Sequence, residues 1–222
     1  PDPEAPRVSY TYFFNYADEE KLYRRFWSVP KDPRRAEDSD HVDAHLISLY
    51  HTNDRELVDQ TRLSQAHLER PIWGISAVGR VNPVQSFASP ENSLSPEQLE
   101  QKFVLTAALG MERQGIWPGR GWIDAAHLAA IGRASRFIWD NENFYFDGES
   151  AGETVSVEAV GGAGRDDWAR TAHRRDGKTL VTLFNFTGDR KLEFAVADNR
   201  SGATETVSIA PRGYGTVFLE SQ

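Results

Sequence analysis

The chain has 222 residues, 39% of them hydrophobic and 11% aromatic, enough to bury one large core or two smaller ones, so disorder is not the default reading. A formal net charge of −8 and a pI near 5.3 argue against nucleic acid or an anionic membrane as the main partner, and no apolar run is long enough to span a bilayer. The absence of cysteine excludes disulfides and thiolate metal sites. The chain starts at Pro1 rather than Met, and "PDPEAPR" reads as a linker or a cut site in a longer gene product.

The first half alternates strand-like and helix-like runs. "VSYTYFFNY" (Val8 to Tyr16), rich in β-branched and aromatic residues, predicts a strand, and Asp18 opens a helix carrying Leu22, Tyr23 and Phe26 on one face. "AHLISLYH" (Ala44 to His51) predicts a second strand. Asn53 and Glu56 stand at capping-box spacing before a helix that runs to about Glu69. "PIWGISAVG" (Pro71 to Gly79) is a near-continuous apolar run of the kind buried in parallel sheets.

After a polar loop, Ser95, Pro96 and Gln98 supply N-cap, first-turn proline and capping-box partner for a helix burying Leu99, Phe103, Ala107 and Met111. "GIWPG" predicts a fourth, short strand, because proline cannot donate to a sheet ladder. Asp124 caps a last helix, with Leu128, Ile131, Ala134 and Ile138 as its predicted buried stripe.

Strand–helix repetition without hairpin signals implies parallel strands joined by right-handed crossovers. Four such units fit half of an eight-stranded barrel or a small open α/β sheet. A half-barrel alone would carry two raw edges and an exposed inner face, so this half needs a partner.

From Ala151 onward the texture changes. "TVSVEAV", "WARTAHRR", "KTLVTLFNF", "KLEFAVA", "TETVSIA" and "GYGTVFL" alternate with turns such as Asp176-Gly177, Gly188-Asp189 and Ser201-Gly202. Six short strands at this spacing predict a compact antiparallel sandwich. The expected division is therefore 1–148, strand–helix units, and 151–222, all-β.

The order of parts resembles the C-terminal part of bacterial glycoside hydrolases in which a (β/α)8 barrel is followed by a small β-sandwich. The resemblance rests on a strand–helix region ending in "ALGMERQGIWPGRGWIDAAHLAAIGRASRFIWDNENFYFDG", then a sandwich closing with "VSIAPRGYGTVFLE". It covers nearly the whole sequence but is architectural, and it singles out no particular family. It implies an α/β plus all-β chain: the C-terminal half of a TIM-type barrel, strands five to eight, followed by a small antiparallel β-sandwich.

The implied function is hydrolysis of glycosidic bonds in an oligo- or polysaccharide. The partners would be a carbohydrate substrate and either a second polypeptide carrying the N-terminal half of the barrel or another copy of the chain. A non-catalytic carbohydrate- or protein-binding subunit is the alternative. Lack of cysteine and a clipped start suit an exported enzyme.

Barrel active sites lie at the C-terminal ends of the strands. After the fourth strand come Trp117, Arg120 and Trp122, whose indoles can stack on pyranose faces and whose guanidinium can fork onto hydroxyls or a carboxylate. Their other reading is a plug at the barrel bottom or the sandwich interface. Tyr50 and His51 end the second strand, Asn15 the first and Arg80 the third, all placed to reach the same mouth.

Glycosidases need two carboxylates flanking the scissile bond. No convincing acid ends the third or fourth strand. Asp54 and Asp18 are the local candidates, though both suit helix N-termini, and the main acid is expected on the absent half. His41, Asp43 and His45 would share one face of a strand in the manner of a metal set, but a polar loop entering a strand is the simpler reading, and no metal or other cofactor is expected. Two glycosylation patterns, at Asn185 and Asn199, are short enough to arise by chance.

Overall fold

The computed structural model describes residues 8–11, 43–49, 54–67, 71–77, 94–117 and 124–220. The chain divides into two compact units: Pro1–Leu94 with Met111–Asp124, and Ser95–Gly110 with Ala125–Gln222. The helix expected after Asp18 lies outside the described residues.

The first unit contains strands β1 (Val8–Thr11), β2 (Ala44–Leu49), β3 (Ile72–Ala77) and β4 (Gln114–Trp117), and helix α1 (Asp54–His67). All neighbours are parallel and the sheet order is β1-β2-β3-β4, as strand–helix repetition requires. One face is covered, with Ile47, Leu49, Ile72, Gly74 and Ser76 buried. On the other face Ala44 is buried, while Leu46, Trp73 and Ile75 are half-buried. A parallel sheet ordinarily has both faces covered, so this second face is incompletely roofed.

Gly74 is a packing requirement. A Cβ there would lie 2.5 Å from Leu49 Cδ1 and 3.0 Å from Met111 Sδ, so a bare backbone admits both side chains to the covered face. Its N–H donates to the Arg113 carbonyl at 2.9 Å, which leads the chain into β4. The Arg113 guanidinium stands 4.6 Å from the centre of the Trp73 ring.

The second unit contains helices α2 (Pro96–Ala108) and α3 (Ala125–Tyr145) and two antiparallel sheets. The capping box at the start of α2 is formed: Gln98 N–H donates to Ser95 Oγ at 3.2 Å, and Ser95 N–H donates to Gln98 Oε1 at 2.9 Å. Leu99, Phe103 and Ala107 are buried as expected, but so is every residue from Gln101 to Ala108; Met111, also buried, lies beyond the end of the helix, in the first unit beside Gly74. From Gln101 to Ala108 the helix is enclosed all round, which a one-sided stripe does not foretell.

The stripe expected on α3 is corrected. Leu128 is 59% exposed, and Ile131 and Ile138 are half-buried. The buried face is instead His127, Ala130, Ala134, Asn141 and Tyr145. Small alanines face inward because α2 packs against this side at close range, leaving room for little more than a methyl group.

The two sheets have orders β10-β9-β6 and β11-β8-β7-β5. The strands are β5 (Glu149–Ser150), β6 (Val155–Val160), β7 (Trp168–Arg175), β8 (Lys178–Asn185), β9 (Leu192–Asp198), β10 (Thr204–Ile209) and β11 (Tyr214–Glu220). All six expected strands form, and β5 is added. Asp176 (φ 50°) and Gly177 (φ 75°) make the two-residue turn between β7 and β8; positive φ at both positions matches the twist of a tight hairpin.

The sheets share one core, with Val155, Leu192, Phe194, Val196 and Ile209 from one and Ala172, Val181, Leu183, Val217 and Leu219 from the other. Truncating a buried side chain such as Phe194 would cost about 3–5 kcal/mol. β8 is buried on both faces: Val181 and Leu183 enter this core, while Thr182 on the other face bonds the Tyr145 hydroxyl of α3 at 2.9 Å.

Candidate functional site

Parallel register fixes where the strand ends fall. Thr11 is level with Ile47, Leu49 with Ser76, and Ala77 with Trp117. At about 3.3 Å per residue, the C-terminal ends of β2, β3 and β4 lie within roughly one residue of a common edge, with β1 ending about two residues short. In sequence, Asn15 follows β1, Tyr50 and His51 follow β2, Arg80 follows β3, and Arg120 and Trp122 follow β4.

Of the predicted site residues, two belong to the described part. Trp117 is the last residue of β4, level with Ala77. Asp54 is the first residue of α1 and is 7% exposed. With Glu56 it makes an acidic first turn, which the helix dipole favours; this matches the capping reading at least as well as a chemical one. Asp18, Asn15, Tyr50, His51, Arg80, Arg120 and Trp122 lie outside the described residues.

The enclosed acids of the second unit already have partners within that unit. Glu100 receives Arg133 at 2.6 Å on one carboxylate oxygen and the Tyr214 hydroxyl at 2.9 Å on the other. Burial, reinforced by this carboxylate, pushes the Tyr214 hydroxyl well above its ordinary titration range. Asp198, 1% exposed, accepts from Arg174 at 2.8 Å and from the Arg200 N–H at 2.9 Å. Burial alone would raise its pKa; the backbone N–H and the Arg174 guanidinium outweigh burial and hold it below the ordinary aspartate value. Carboxylates clasped in this way serve packing.

Sequence reasoning missed the cation–π pair of Arg113 and Trp73. It stands at the opposite, N-terminal end of β3 and β4. The signal was present as an aromatic and an arginine entering adjacent strands.

No group of three or more His, Cys, Asp or Glu suited to a metal occurs among the described residues, and His41 of the histidine–aspartate trio lies outside them. Asn185 is fully buried, with its amide donating to the carbonyls of Arg190 (2.8 Å) and Ala210 (3.0 Å), so its glycosylation pattern is not an accessible site in the folded chain. No described helix is long and apolar enough to cross a membrane.

No protein-family model matches the chain, and no curated protein matches it in sequence. Among solved structures, the chain is similar to an Anoxybacillus α-amylase described as belonging to a new glycosyl hydrolase subclass, at 12% identity and a TM-score of 0.52 over 92% of this chain and 56% of that one. It is likewise similar to the α-amylase of Geobacillus thermoleovorans complexed with acarbose, at 13% identity and a TM-score of 0.52 over 91% and 54%. The chain therefore spans a little over half the length of either structure. At such identities the likeness is one of fold; it agrees with the resemblance to glycoside hydrolases drawn from the order of parts, and it identifies no family.

Proposed function

We propose that the chain is the C-terminal portion of a glycoside hydrolase. Its parallel sheet would form half of a (β/α)8 barrel, and its two antiparallel sheets a β-sandwich domain appended to that barrel. The observation that carries this reading is the near-level C-terminal edge of β2, β3 and β4 in a sheet of four sequential parallel strands, in a chain similar over nine-tenths of its length to α-amylase structures. The half-roofed face carrying Leu46, Trp73 and Ile75 supports a sheet that is completed by further strands.

On this reading Trp117 and Trp122 stack on sugar rings, while Arg120, Tyr50, His51, Asn15 and Arg80 bond hydroxyls around the same mouth. Asp54 and Asp18 are the local carboxylates. The general acid comes from the remaining half of the barrel, supplied by another polypeptide segment or a second copy. An α-glucan is the first substrate class to test, because one of the similar structures is an amylase complexed with acarbose.

The experiment is to incubate the purified chain with maltoheptaose and measure both retention of the glycan and release of reducing ends. Retention without release is expected. Absence of retention across a panel of soluble α- and β-glycans would overturn the proposal, and it would leave the alternative of a protein-binding subunit.

A further inference from the structure

We draw no further inference here: the strongest candidate, the groove on the outer face of the β10-β9-β6 sheet, floored by Ala195 and Ala197 and walled by Ser156, Glu158, Thr204 and Thr206, is a strip of small residues beside a carboxylate, and nothing in the structure shows what fills it.

Discussion

The side-chain amide of Gln101 donates to the carbonyl oxygen of Asn185 at 2.8 Å, joining residues 84 apart in sequence, and the same nitrogen reaches the Gly213 carbonyl at 2.9 Å. Gln101 is fully buried in α2, and Asn185 ends β8. One polar side chain thus pins a helix to the ends of two sheet segments. Gln101→Leu should destabilise the second unit by about 1–3 kcal/mol, since it strips a donor from buried carbonyls. Urea unfolding checks this as a lower midpoint with an unchanged slope.

Asn185→Ala should cost more, about 2–4 kcal/mol, because it breaks a buried network rather than one bond. The Asn185 amide donates to three carbonyls, and its oxygen accepts from both the N–H and the hydroxyl of Thr187. Asn185→Asp keeps the acceptor and loses the donors, so it should fall near the alanine variant. Both are read from the same denaturation curves.

Asp198 and His173 give the fold an acid limit. The Asp198 pKa is depressed in the folded chain, so its contribution is fully present above the ordinary aspartate value near 4 and is lost as pH falls through the folded value. His173 is also depressed: burial lowers it, more than its Nε2 bond to the Ala108 carbonyl at 2.8 Å raises it. Its share is present above about pH 6.5 and is lost as pH falls from there through the folded value. Melting temperature should therefore decline in two stages on acidification, and His173→Gln should flatten the upper stage only.

Trp117→Ala should weaken maltoheptaose binding about tenfold without moving the melting temperature, as expected for one lost stacking contact of about 1.4 kcal/mol. Titration calorimetry with thermal unfolding on the same sample separates the two effects. Unchanged affinity would remove Trp117 from the site.

Much of this was legible in the sequence, for identifiable reasons. The N-terminal signals of α2 (Ser95, Pro96 and Gln98) are local, and they form as read. The turn at Asp176-Gly177 is fixed by backbone sterics, and the six strands follow from alternation, seen most clearly in β9, where Leu192, Phe194 and Val196 are buried between exposed neighbours. What failed was the buried phase of α3. Leu128 outranks Ala130 in hydrophobicity, but the close approach of α2 selects alanine for the inside, and no local pattern encodes that distance. The clasping of Glu100 by Arg133 and Tyr214 was equally unreadable, because its partners lie 33 and 114 residues away.

The most direct measurement is peptide-resolved hydrogen exchange of the chain with and without maltoheptaose. Binding at the C-terminal edge of the parallel sheet predicts new protection in peptides covering 50–53, 78–93 and 118–123, and none in those covering 149–220. Protection confined to 149–220, or to peptides starting at the N-terminal ends of β3 and β4, would contradict the account.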